Sequence, residues 1–188
     1  VDSGGQYSFG TTDVTRTISL NNKSSFIKEV YTRVLKGHIA VSNFKITKKS
    51  TGSQVDKSAR KFLKKVNLDY PHGTGHGVGH FLNVHEGPQS LSKNNKINLR
   101  NGMVLSNEPG YYKEGSFGIR IENLIYIKKN NFIELTLAPI EKDLINKKIL
   151  NNNEIKWINN YHKKVKKNLF KYMNLNEKIE LTKACSPI

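Results

Sequence analysis

The stretch from Asp69 to Gly87 constrains the fold more than any other part of the chain. Gly73, Gly75, Gly77, Gly79 and Gly87, with Pro71 and Pro88, forbid a regular helix there and favour tight backbone turns. Four of the six histidines, His72, His76, His80 and His85, fall in this same segment. Glycines let a backbone approach a site closely, and imidazoles accept metals or move protons. The segment therefore reads as a functional loop, and the fold is to be sought on either side of it.

Before the loop, two patterns follow one another. Thr11, Thr12, Val14, Thr15, Thr17 and Ile18 favour a strand, and the Gly/Ser-rich residues through Gly10 supply the turn of a hairpin. From Ser24 the period changes to 3.6, with Phe26, Val30 and Val34 in one row and Ile27, Tyr31 and Leu35 in the next. That helix is predicted to reach about Ser42, capped by Ser24 or Ser25. A second is predicted after Gly52, with Ser53 as its cap and Val55, Ala59, Phe62, Leu63 and Val66 inward. After the loop, strands are predicted from Met103, across Phe117 to Ile127, and over Leu135 to Ile140. A last helix is predicted over about Asn153 to Met173. The order predicts an α+β fold. One cysteine, Cys185, excludes a disulfide framework and a thiolate metal cluster within the chain. No apolar run approaches the roughly 18 residues of a membrane span.

Four carboxylates stand out against this background. Asp2 and Asp13 lie on the two arms of the predicted hairpin, and a turn near Tyr7–Ser8 sets them roughly opposite. Cross-strand neighbours have Cβ atoms about 4.5–5.5 Å apart, so the pair repels unless a cation neutralises it. Glu108 ends an apolar strand, and Glu122 sits among isoleucines, where a carboxylate is costly unless paired or metal-bound. Arg120 shares the face of Glu122 by the period-2 rule, so an Arg–Glu pair accounts for Glu122 alone. It does not account for Glu108, Asp13, Asp2 and the histidine loop together. Five ligands of composition Asp, Asp, His, Glu and Glu suit two borderline or hard cations that polarise a carbonyl and make hydroxide from water. A zincin reading fails for want of H-E-x-x-H. A dinucleotide fingerprint fails because the string from Gly75 to His80 lacks its last glycine and no apolar strand precedes it.

At these residues the sequence resembles the Xaa-Pro aminopeptidases, within the creatinase/methionine-aminopeptidase superfamily of pita-bread folds. The similarity is carried by Asp2-Ser3-Gly4-Gly5-Gln6-Tyr7, Gly10 to Thr17, Leu35 to Ala40, His72 to Gly79, Val84 to Pro88, Glu108 to Tyr112 and Gly118 to Asn123. It implies a curved, mostly antiparallel sheet covered by helices. It implies Asp2, Asp13, His76, Glu108 and Glu122 as ligands of two divalent metals, usually Mn2+, with Asp13 and Glu122 bridging. It further implies His85 as oxyanion stabiliser, His72 in the pocket for the proline, Glu108 as proton shuttle, and Arg120 and Tyr112 as residues that orient ligands and relay protons. The implied reaction is attack by a metal-bridging hydroxide on the peptide bond between an N-terminal residue and a following proline. No organic cofactor is implied.

The same resemblance divides the chain into a catalytic portion, residues 1–141, and a C-terminal extension, residues 142–188. The tail around Trp157 to His162 and the closing Ser186-Pro187-Ile188 resemble the larger type of aminopeptidase P. The chain opens on Val1 without an initiator Met, and the segments the family carries before the Asp2 strand are expected to be missing. A homodimer, a cytoplasmic location and peptide substrates with proline in second place are also implied. Two alternatives remain. One is prolidase, which cuts only dipeptides. The other is a non-catalytic binding module, whose one support is the formal net charge of +16, from 31 Lys and Arg against 15 Asp and Glu. The lysines are scattered rather than gathered on one face, so no nucleic-acid surface is expected. His38, His162 and Cys185 are expected to be structural.

Overall fold

The computed structural model describes residues 1–20 and 23–188. Two compact units divide the chain: Val1–Thr17 with Arg33–Thr136, and Ile18–Thr32 with Leu137–Ile188. The division falls inside the first helix, α1 (Ser25–Ser42), where Ile27 N–H meets the Ser24 hydroxyl at 3.3 Å, the contact of an N-cap.

In the first unit the chain begins as a hairpin of β1 (Asp2–Tyr7) and β2 (Gly10–Thr15). Its register corrects the expectation for the aspartates. Asp2 pairs with Thr15 and Gly4 with Asp13, so the two acids are diagonal neighbours on one face rather than opposite partners. The second helix, α2 (Gly52–Lys64), starts one residue before the expected cap. Thr51 and Gln54 form a capping box there, and Val55, Ala59 and Leu63 point inward. Asp56, on the same inward side of α2, is 2% exposed.

The remaining strands are short: β3 (Gly75–His76), β4 (Ser90–Leu91), β5 (Val104–Asn107), β6 (Gly110–Lys113), β7 (Phe117–Arg120), β8 (Asn123–Lys128) and β9 (Asn131–Glu134). Their pairing is antiparallel throughout and is distributed over the ladders β1-β2, β3-β4, β5-β8-β9 and β6-β7. The single strand expected over Phe117 to Ile127 is two strands. Its isoleucines run on unbroken, but β7 folds back on β6 while β8 runs between β5 and β9, and the step between them falls at Ile121-Glu122. The strand expected over Leu135 to Ile140 lies earlier, at β9. Lys129 and Asn130 both take positive φ, 49° and 60°, and turn the chain directly from β8 into β9. A core of Val41, Ile46, Val55, Ala59, Leu91, Leu99, Leu105, Ile125, Ile127 and Phe132 lies under these strands and α2.

The second unit holds α3 (Asn152–Leu169) and α4 (Leu175–Ala184). Each begins with a capping box, Asn151 with Glu154 and Asn174 with Glu177. Helix α4 was not expected, because Leu181 is its only buried residue and it presents no apolar stripe. His162 is fully buried, its Nε2 accepting the Ile140 N–H at 3.1 Å. Among the described residues no helix is long and apolar enough to cross a membrane.

Candidate metal centre

Each candidate ligand is placed by a local rule. On the hairpin, period 2 puts Asp2, Asp13 and Thr15 on one face. His76 is fixed by the glycines beside it. A Cβ at Gly75 would stand 2.0 Å from the Ser106 carbonyl oxygen, and one at Gly77 would stand 1.9 Å from that of Glu86. Only glycine permits this approach, and it seats His76 beside Ser90 in the ladder of β3 and β4. The His76 N–H donates to the Ser106 hydroxyl at 2.9 Å, and that hydroxyl donates to Glu108 Oε1 at 3.0 Å. The Glu108 N–H in turn donates to the Thr74 carbonyl at 2.8 Å, tying the loop to the end of β5. Glu122 occupies the step between β7 and β8, its N–H donating to the Thr15 carbonyl at 3.1 Å.

These placements bring all five expected ligands together. Ligand atoms lie within 4.8 Å of one another in three overlapping groups: Asp2, Asp13 and Glu122; His76, Glu108 and Glu122; Asp13, His76 and His85. His76 Nε2 is 3.4 Å from Asp13 Oδ2 and 3.4 Å from Glu108 Oε1, while its Nδ1 faces the Gly77 carbonyl at 3.0 Å. Burial works to lower the His76 pKa, but Asp13, the Gly77 carbonyl and Glu108 outweigh it and hold the value above the usual one. Glu122 is 2% exposed. Burial pushes its pKa up to about 7, and the charges of Glu108, Asp13 and Asp2 push the same way against the Thr15 hydroxyl bond. Four carboxylates crowded around one imidazole fit divalent cations: oxygen and imidazole donors suit Mn, Fe, Co or Zn, and positive charge would restore Glu122 to its ionised form.

The other expected residues surround this set. His85 stands edge-on to His76, with ring centres 4.1 Å apart, and it joins a ligand group as well as being the expected oxyanion donor. His72 Nε2 is 2.7 Å from the Tyr112 hydroxyl, which accepts an N–H from Arg120 Nη1 at 2.9 Å. Arg120 Nη2 also pairs with Asp2. Its Nε donates to the Thr15 hydroxyl at 3.0 Å, and that hydroxyl donates to Glu122 Oε2 at 2.6 Å. The Arg–Glu pair considered from sequence is thus relayed through a threonine. His80 is exposed and enters none of the ligand groups.

Three contributors escaped the sequence reading. Thr15 and Ser106 lie two residues from Asp13 and Glu108, on the same strand faces, so period 2 could have found them. Arg16 donates to the Glu122 carbonyl at 2.6 Å and to Asn123 Oδ1 at 2.7 Å, holding the backbone at the step. It carries no periodic signal that separates it from a solvated arginine.

Comparison with known proteins adds to this geometry. Residues 1–129 match the profile of Metallopeptidase family M24, and residues 130–188 match that of the C-terminal region of peptidase M24. Xaa-Pro aminopeptidase 1 of Dictyostelium discoideum is 49% identical over 178 residues, covering 88% of this chain and 28% of the relative. Aminopeptidase P2 of Arabidopsis thaliana is 46% identical over 179 residues, covering 88% of this chain and 25% of the relative. Among solved structures, the X-prolyl aminopeptidase of Caenorhabditis elegans, described as a cytosolic enzyme with a di-nuclear active site, superposes with a TM-score of 0.92. It is 40% identical and covers all of this chain, which spans 33% of it. The prolidase of Pyrococcus furiosus gives a TM-score of 0.66 at 30% identity, covering 73% of this chain and 40% of that one.

Proposed function

Because the chain belongs to Metallopeptidase family M24, we propose that it carries the dinuclear metal centre of an Xaa-Pro aminopeptidase, a hydrolase that removes an N-terminal residue preceding proline. Its fold is the pita-bread fold of that family, seen at TM-score 0.92 in the nematode relative. The observation that carries the functional reading is the convergence of Asp2, Asp13, His76, Glu108 and Glu122 into overlapping ligand groups that share Asp13, His76 and Glu122. Asp2, Asp13 and Glu122 form one group and His76, Glu108 and Glu122 another, and two groups joined at one shared carboxylate suit two cations rather than one. Asp13 and Glu122 would bridge both, Asp2 would complete one site, and His76 with Glu108 the other. The metals, when bound, polarise a carbonyl and lower the pKa of water. Mn2+ is the expected pair.

The chain's own residues supply the rest. Glu108, held by Ser106, moves a proton between the attacking water and the departing amine. His85, on the exposed side of His76, donates to the oxygen where negative charge develops. His72 walls the side that receives proline, and Arg120 and Tyr112, joined to each other and to Asp2 through Arg120, orient the ligands and relay protons. We assign residues 1–141 to the catalytic portion and 142–188 to the C-terminal extension. A homodimer acting on peptides in the cytosol is the accompanying expectation, supported by the nematode enzyme's description as cytosolic as regards location.

The test uses the full natural chain loaded with Mn2+. Release of the first residue from X-Pro-X peptides is expected, with anomalous scattering at the manganese edge locating two ions among the five ligands. Preference for X-Pro dipeptides would make the protein a prolidase. Absence of metal at these residues after Mn2+ soaking would favour a non-catalytic module.

A further inference from the structure

One buried cation in the first unit takes no part in the chemistry above. Arg60 of α2 is 2% exposed. Its Nε donates to both oxygens of Asp56 at 2.9 Å. Nη1 donates to Asp69 Oδ1 at 2.7 Å and to the Tyr70 carbonyl at 2.8 Å, and Nη2 donates to the His72 carbonyl. The guanidinium carbon lies 3.9 Å from the centre of the Tyr70 ring. Asp56 also accepts the Thr74 hydroxyl at 2.7 Å.

This guanidinium spends donors on two carbonyls of the segment that carries His72, and its fork presents them in fixed directions. Residues 69–72 therefore take their course from Arg60. The far end of His72 is fixed separately, with Nδ1 2.6 Å from the Gly73 carbonyl and Nε2 2.7 Å from the Tyr112 hydroxyl. His76 is anchored differently, through Ser106 and the close approaches at Gly75 and Gly77. Arg60 thus holds the His72 carbonyl directly, whereas His76 meets the Arg60 cluster only through Asp56 and the Thr74 hydroxyl.

We propose that Arg60 is a positioning residue: it sets the 69–72 backbone so that the His72 imidazole stands against Tyr112, and through His72 it governs recognition of the residue after the scissile bond without governing the metals. The inference rests on the reading of His72 as a wall of the proline pocket. Arg60→Lys is the sharpest probe, because it keeps a cation beside Asp56 and loses the reach to the loop carbonyls.

In the full natural chain loaded with Mn2+, Arg60→Lys is expected to raise KM for an X-Pro-X peptide about 10-fold, within the ~10²-fold that a 1 Å misplacement can cost. Metal content and the kcat of the folded fraction stay unchanged. The His72 imidazole cross-peak in an NMR spectrum moves, while that of His162 in the other unit does not. An unchanged KM with activity falling only in step with the folded fraction would overturn the proposal, as would an unmoved His72 peak. If Arg60→Lys does not fold, Asp69→Asn serves for both readings, since its side chain is 33% exposed. If the wild type cleaves no X-Pro peptide, the functional reading fails on its own, and the His72 peak still decides whether Arg60 positions that ring.

Discussion

Two polar clusters lie in the same unit and satisfy their charge in opposite ways. Around Arg60, two carboxylates face one guanidinium, Lys93 stands 3.5 Å from Asp69, and each oxygen has a donor supplied by the chain. Around His76, four carboxylates face one guanidinium, that of Arg120, and one imidazole held between two acids. The first cluster is closed. The second leaves Glu122 pushed up to about pKa 7, by burial first and by the charges of Glu108, Asp13 and Asp2 next. Buried charge that is balanced within the chain belongs to architecture; buried charge left unbalanced reports a ligand.

The widest separation between the clusters should come from neutralising a carboxylate in each. Asp13→Asn and Glu122→Gln are expected to lower kcat by at least about 10²–10³-fold, the size of losing one electrostatic stabiliser, and to remove bound metal by elemental analysis. Asp56→Asn should leave two metals per chain. Activity surviving at Asp13→Asn or Glu122→Gln would erase the distinction from the ligand side. The closed cluster is tested by stability instead. Asp56→Ala leaves Arg60 without its buried partner, at an expected cost of about 3–5 kcal/mol in denaturant melts. A loss below about 1 kcal/mol would show that the closed cluster does not hold the fold.

How far this contrast could be read from sequence depends on what set each residue's place. Glu108 and Glu122 stood out because acids beside apolar strand residues violate the local pattern, as do histidines crowded among glycines, and such violations are where function is expected; the choice of His76 among the loop histidines came from the family resemblance. Thr15 and Ser106 obeyed the pattern and passed unnoticed. Arg60 was hidden because Asp56, four residues before it on α2, reads equally well as a surface i,i+4 pair or a cap partner. The break at Ile121-Glu122 was not legible, since it comes from the demand that Glu122 donate to the Thr15 carbonyl across 107 residues of chain. The diagonal offset of Asp2 and Asp13 followed from where the turn closes, at Ser8-Phe9, one residue beyond the expected place. Helix α4 announced itself only by Asn174 and Glu177, a capping box without an apolar stripe behind it.

The pH response sharpens the contrast further. In the metal-free protein Glu122 titrates near 7, against an ordinary value of 4.5. Below pH 4.5 it is protonated in both folded and unfolded states and contributes nothing. As pH rises toward 7 the unfolded chain ionises while the folded one resists, so stability falls, by about 3 kcal/mol once pH exceeds 7. His76, raised above 6.5, loses its contribution in the same direction as pH rises through its folded value. Urea melts in chelator between pH 4.5 and 8 should record this fall. With Mn2+ at about 100 times its Kd, some 2.7 kcal/mol should be recovered near neutral pH. A metal-free protein equally stable at pH 5 and pH 8 would mean that the negative cluster is already balanced.

The smallest expected effect separates ligand orientation from fold stability within the open cluster itself. Ser106 touches no candidate metal position as a ligand, yet its hydroxyl accepts the His76 N–H and donates to Glu108 Oε1. Ser106→Ala removes both contacts in a fully buried position where alanine fits. The freed His76 N–H and the loosened Glu108 should cost about 10–100-fold in metal affinity, as the loss of groups that orient ligands does. Chelator melts should move by only about 1–3 kcal/mol, the cost of leaving one donor unpaired. Isothermal titration of the metal-free protein with Mn2+ reads the first quantity and a denaturant melt the second. If the melt shifts by several kcal/mol while metal affinity holds, Ser106 belongs with Arg60 in the self-balanced architecture and not with the carboxylates it joins.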